Sequence, residues 1–215
     1  MLIQLFAQGQ AALAIIILIA IVISLTFHEY GHAVTAKLFG DDTAQRAGRL
    51  TLNPMAHIDP FGLLMVAMVG FGYAKPVPTN PRNFKSLWAD LFVSAAGPAM
   101  NFLVGFVAIN LYFFGVGMGW DIFQGPGPQY FFIYLAVINM VLMLFNLLPI
   151  GALDGHYILP YFLPKRLAYQ YRQWNDRYGN YLLLGLILLS LIGVPIFSRV
   201  FQFGQIILPY ITFTA

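Results

Sequence analysis

Residues 11–38 read AALAIIILIAIVISLTFHEYGHAVTAKL, an apolar run that closes on His28-Glu29-Tyr30-Gly31-His32. Ala11 to Phe27 carries no charge, a length approaching the roughly 20 residues a helix needs to cross the hydrocarbon core. Positions i and i+4 share one face of a helix, so His28 and His32 can grip one metal ion. Glu29, the only glutamate in the chain, then lies beside that ion, placed to take a proton from an attacking water. This stretch predicts a helix in a bilayer and a hydrolytic metal site near its end.

The whole chain agrees with that reading. Of 215 residues, 60% are hydrophobic and 9% charged, against about 25% charged in soluble domains. We expect an all-α polytopic membrane protein, a single integral membrane domain over residues 1–215. The net charge of +3 does not point to nucleic acid, because no basic run carries interleaved aromatics. With no cysteine, disulfides and thiolate ligands are excluded, so a metal must use His, Asp or Glu. The first apolar run lacks a basic leader and a small-x-small cleavage site, and is read as retained rather than as a signal peptide.

Punctuation divides the rest. The first helix ends near Gly40, and Gly48 and Pro54 break a polar loop over 41–57. Residues 58–73 are apolar but short, interrupted by Pro60, Gly62, Gly70 and Gly72, and Lys75-Pro76-Val77-Pro78 begins an extended stretch. A long helix from about Leu87 to Met118 carries Gly97-Pro98-Ala99-Met100-Asn101. Another covers about Tyr130 to Leu148, until Pro149, Gly151 and Gly155 break the chain around Asp154. A polar segment, 165–180, leads to a last helix from Tyr181 to about Phe197 and a short apolar tail, 201–215.

Parity and charge decide what the short segment does. If residues 58–73 crossed the membrane, the helices carrying His28 and Asp154 would be antiparallel, with their functional ends apart. If the segment is re-entrant, the two are parallel and their ends meet. The re-entrant case also puts Lys37, Arg46, Arg49, Lys75, Arg82, Lys85, Lys165, Arg166, Arg172 and Arg177 on one side, leaving only Arg199 of eleven basic residues elsewhere. Positive charge marks the cytoplasmic face, so the N-terminus is expected outside and the active site toward the cytoplasm.

A catalytic zinc takes three protein ligands and keeps one position open. Asp41, Asp42, Asp59, Asp90, Asp121, Asp154 and Asp176 are the remaining acids. Most sit in loops or at helix edges. Asp154 lies at the end of an apolar helix, where an ionisable group is costly unless paired or bound to a cation, and Pro149 can unwind the helix to turn it inward.

HEYGH at 28–32 and NLLPIGALDG at 146–155, with GPAMN at 97–101, resemble the site-2 protease family of intramembrane metalloproteases. Asn53-Pro54-Met55-Ala56-His57 and Ala74-Lys75-Pro76-Val77-Pro78 look like its compact prokaryotic branch, without a PDZ or CBS module. The resemblance implies a core of three helices, the HExxH, GPxxN and LDG helices, with a re-entrant segment and one or two C-terminal helices beside it. It implies one zinc ion per chain on His28, His32 and Asp154, with Glu29 activating water. Such an enzyme hydrolyses peptide bonds within or next to the transmembrane segments of single-span membrane proteins or remnant signal peptides, here in a prokaryotic inner membrane.

Beside zinc, the oxyanion needs a donor, and the Asn146 amide is suitably placed in sequence; it can equally hydrogen-bond across helices or cap the break at Pro149. His57 is read as an interfacial loop histidine in preference to a site residue, and His156 as lying behind the site or exposed. Asn101 and Pro98 are read as packing and kink residues. The competing function is a metal-ion transporter or channel built on the same His/Asp cluster. A transporter would spread ionisable groups along a path or show repeated halves, and neither is visible here.

Overall fold

A computed structural model describes residues 2–70 and 72–213, all of whose regular elements are helical. One position of the short apolar segment, 71, and the last two residues of the tail lie outside the described residues. A short helix not signalled by the sequence, α1 (Leu2–Ala7), precedes α2 (Ala11–Leu38). Leu2 is buried against Ala14, Ile17 and Ile21 of α2, which accounts for so short a helix being ordered by packing alone. The apolar run forms one unbroken helix and stops where expected. There the Gly40 N–H bonds to Lys37 O at 3.0 Å and the Asp41 N–H to Ala36 O at 2.9 Å, the paired closure of a Schellman end.

After the single turn α3 (Thr43–Arg46) comes α4 (Pro60–Val69). Asp59 caps α4 by accepting from the Gly62 N–H at 2.8 Å, with Pro60 at the first helical position. Its ten residues reach about 15 Å, half of the roughly 30 Å hydrocarbon core. The chain doubles back after α4, the Lys75 N–H reaching His57 O at 2.8 Å, and Val66 packs on the core of α1 and α2.

Two further long helices complete the core, α5 (Ala89–Gly117) and α6 (Pro126–Asn146). With α2 they are, among the described residues, the three helices long and apolar enough to span a membrane, and only 33%, 33% and 28% of their most apolar windows is buried. The remaining apolar surface, including Leu103, Val107 and Phe114, faces outward, as lipid contact requires. All three pack on one another, with Ala20, Ala108 and Leu135 at their junction. Gly31 lets α2 and α5 approach closely, since a Cβ there would meet Ala96 O at 2.8 Å.

The C-terminal third departs from the sequence expectation. After α7 (Asp154–Ile158) and α8 (Lys165–Trp174), a π-type turn at Asn175–Gly179 leads into α9 (Asn180–Leu191). The expected single helix to Phe197 breaks at Gly193 and Pro195, and the tail joins α10 (Ile196–Ile211). Hydropathy is continuous across this break, so only the Gly-x-Pro punctuation signalled it. Asn110 of α5 ties down the end of α10, donating to Ile211 O at 2.8 Å and accepting from the Phe213 N–H at 2.7 Å.

Candidate metal centre

Asp154 opens α7, eight positions after α6 ends, and it meets the histidines of α2. His28 Nε2 is 3.3 Å from Asp154 Oδ2, His32 Nε2 is 3.4 Å from Oδ1, and the two Nε2 atoms are 3.1 Å apart. This contact requires α2 and α6 to run parallel, the parity of a re-entrant α4. Three potential ligand atoms thus converge within 4.8 Å of one another, on residues that are buried or nearly so.

The far side of each ring fixes its tautomer. Asn101 Nδ2 donates to Ser24 O at 3.1 Å and to Asn139 Oδ1 at 2.8 Å, so its Oδ1 accepts from His28 Nδ1 at 2.7 Å. His32 Nδ1 donates to Val93 O at 2.7 Å. With both protons on Nδ1, the two Nε2 lone pairs face each other and a carboxylate. That arrangement is repulsive until a cation sits among them, and Asp154 Oδ2 is a buried oxygen without a good hydrogen-bond donor. Two imidazoles and one carboxylate fit zinc.

Asn101 is more than the packing residue expected from sequence. It joins a knot in which Asn139 Nδ2 donates to Ser24 Oγ at 2.7 Å, and Ser24, Asn101 and Asn139 are all fully buried. One side chain from each of α2, α5 and α6 thereby pins the helices in register behind the metal site. On the same helix Gly97 is required by space, because a Cβ there would stand 2.6 Å from both His28 Cε1 and His32 Cε1.

Glu29, next to His28 in the chain, is held by the extended stretch after α4. Its Oε2 accepts from the Val77 N–H at 3.0 Å. Lower down the same strap, the Asn80 N–H donates to buried Asp41 at 2.6 Å, and Asp41 also accepts from Asn83 Nδ2 at 2.8 Å and from the Thr43 hydroxyl and N–H. Burial works to raise the Asp41 pKa, yet these hydrogen bonds outweigh it and hold the carboxyl below its ordinary value. A depressed folded pKa stabilises above the unfolded value and loses that stabilisation as pH falls through the folded one. Hydrogen exchange of residues 78–85, corrected for intrinsic rates, should stay slow from pH 7 down to about 4 and rise only below it. Asp41→Asn should raise it across the range above about pH 4, where the wild-type carboxylate is charged.

Asn146 ends α6 with its Nδ2 donating to Leu142 O of the same helix at 3.0 Å. His57, expected as an interfacial loop histidine, lies in the loop but is fully buried, its Nε2 donating to Thr51 O at 2.7 Å. His156 is buried, two positions on from Asp154 and so on the opposite face of α7, 3.8 Å from Asp176. The loop leading to Asp154 has its own fastening, since Asn175 both accepts from the Gly151 N–H at 2.8 Å and donates to Gly151 O at 2.9 Å.

Residues 16–191 match the model of Peptidase family M50. The chain is 40% identical over 166 residues to the Bacillus subtilis protein named "Putative zinc metalloprotease YwhC", which covers 76% of this chain and 75% of that one. It is 31% identical over 172 residues to the Rip2 protein of Mycolicibacterium smegmatis, named in the same way, covering 75% of this chain and 63% of the relative. For Rip2 of Mycobacterium tuberculosis the figures are 29% over 164 residues, 72% and 60%, so the match spans less than two thirds of the Rip2 proteins. No solved structure matches the chain.

Proposed function

The chain belongs to peptidase family M50, the site-2 protease family, and from that premise we propose that it cuts single-span membrane proteins or remnant signal peptides within or beside their transmembrane segments. It is an integral membrane zinc metalloprotease. The geometry supports the following parts for its residues. His28, His32 and Asp154 hold the zinc, and the observation that carries this assignment is the convergence of two Nε2 lone pairs and a carboxylate at 3.1–3.4 Å. A zinc ion held there would supply a Lewis acid and lower the pKa of water toward about 7.

Glu29 takes the proton of the attacking water and hands it to the leaving amine. The amide of Asn146 has one N–H committed to Leu142 O and a second available for the developing oxyanion. A helical peptide bond is already hydrogen-bonded and covered, so the substrate must unwind locally, and helix-breaking residues near the cut favour cleavage. The one-sided placement of ten of the eleven basic residues supports a site facing the cytoplasm, with the N-terminus outside, in a prokaryotic inner membrane. Nothing favours the transporter alternative, since the ligand cluster is a single closed point and not a path.

The test is cleavage of a helix-destabilised, single-span reporter in proteoliposomes by the wild type and by Glu29→Gln. The wild type should yield fragments mapping to the span, and the variant should cut about 10²–10⁴-fold more slowly with its zinc retained. Equal cleavage by both would remove Glu29 as the base. Fragments mapping only to the reporter's soluble parts would overturn the intramembrane substrate.

A further inference from the structure

Arg49 is 4% exposed, and a buried guanidinium is expensive unless its donors are used. It is brought inward by the turn that ends α3, where Gly48 takes a φ of 69°, the Gly48 N–H bonds to Gln45 O at 3.0 Å and the Arg49 N–H to Ala44 O at 2.8 Å. Its fork does not grip a carboxylate. Nη1 donates to Pro76 O at 3.0 Å, and Nη2 donates to Lys75 O and faces His57 Nδ1 at 3.5 Å. Because His57 Nε2 carries the proton given to Thr51 O, its Nδ1 is an acceptor, suited to a cation. The Lys75 N–H closes the group by bonding to His57 O at 2.8 Å.

The next residue of this clamped strap is Val77, whose N–H is on Glu29 Oε2 at 3.0 Å. Pro76 and Pro78 flank Val77, fixing φ on either side and offering no N–H of their own. The orientation of the Val77 amide is therefore set at the two carbonyls that Arg49 holds.

We propose that Arg49 is a positioning residue for the hydrolysis: it fixes the strap so that the Val77 N–H holds Oε2 of Glu29 and leaves Oε1 to receive the proton of the attacking water. The inference rests on Glu29 being the base. Lysine could keep the charge of Arg49 but, as a point charge, not bridge two carbonyls.

The experiment measures kcat, KM, zinc content and hydrogen exchange of residues 74–80 for Arg49→Gln, Arg49→Lys, Val77→Pro and Arg49→Gln/Val77→Pro in proteoliposomes, with Glu29→Gln alongside. Arg49→Gln should lower kcat about 30-fold with KM and zinc unchanged and exchange of the strap accelerated. Arg49→Lys should recover part of kcat. Val77→Pro, which deletes the N–H and leaves Arg49 alone, should match Arg49→Gln, and the double variant should be no slower than either single one. Wild-type kcat in Arg49→Gln, a rise in KM alone, or additive losses in the double variant would overturn the proposal. Should Arg49→Gln lose its zinc or its fold, Val77→Pro decides, and wild-type kcat there counts against it. Undiminished cleavage by Glu29→Gln would instead remove the base assignment beneath it. An inactive Glu29→Gln beside fully active Arg49 and Val77 variants would overturn this inference alone.

Discussion

Gly97→Ala should abolish zinc binding and cleavage although it removes no ligand. The added methyl would stand 2.6 Å from His28 Cε1 and His32 Cε1, and closer still to His32 Nε2. Neither ring can retreat cheaply. His28 is tied through Nδ1 to Asn101 and His32 to Val93 O, each at 2.7 Å, and a ring that swings away from the methyl gives up its hydrogen bond as well as its aim. The helix itself gains from the change, since alanine exceeds glycine in helix propensity by about 1 kcal/mol. Bound metal should fall from one per chain to near none, and the metal-free protein should melt somewhat below the wild-type temperature, since an orphaned buried hydrogen-bonding group costs about 1–3 kcal/mol and outweighs the gain in propensity. Metal analysis beside thermal unfolding in chelator checks both. Gly185→Ala in α9, with nothing within 4 Å of its added carbon, is the control and should change neither zinc nor cleavage. Full zinc occupancy in Gly97→Ala would mean that α5 can draw back from the two rings without disturbing them.

What the sequence disclosed was what local spacing and local cost can encode. His28 and His32 stand at i and i+4, so one helix suffices to juxtapose them. Asp154 stood out as a carboxylate at the end of an apolar helix, where it needs a cation, and helix parity with the one-sided basic charges marked residues 58–73 as re-entrant. Asn101 was invisible as a partner of His28 because 73 residues separate them; within its own helix it reads only as a polar residue three positions after Pro98. The same holds for Arg49, whose neighbours Lys75 and Pro76 lie 26 and 27 residues on. Its basic side chain counted as topological charge when its guanidinium is in fact buried. His57 was misread for a related reason, since a polar loop gives no sign that its histidine is covered by the strap that returns over it. The break between α9 and α10 was missed because hydropathy runs through it.

Two substitutions at Asn101 should separate its service to the metal from its service to the helices. Asn101→Leu leaves His28 Nδ1–H, Ser24 O and Asn139 Oδ1 without their partner. Each orphaned buried group costs about 1–3 kcal/mol, although hydrogen bonds between membrane helices average nearer 0.6 kcal/mol. The melting temperature should drop, and zinc affinity should weaken about 10–100-fold as the His28 ring loses its tether. Asn101→Asp keeps an acceptor for His28 Nδ1–H, and its negative charge makes the imidazole a better ligand. It also deletes the Nδ2 donor that bridges Ser24 and Asn139. This variant should therefore bind zinc within a few-fold of wild type while losing stability much as Asn101→Leu does. Competitive chelator titration and thermal unfolding read the two effects separately. Equal loss of zinc from both variants would reduce Asn101 to a helix tie. Divergence would show that the knot of Ser24, Asn101 and Asn139 joins two tasks in one amide: it holds α2, α5 and α6 in register, and through that register it aims the first zinc ligand before any metal arrives.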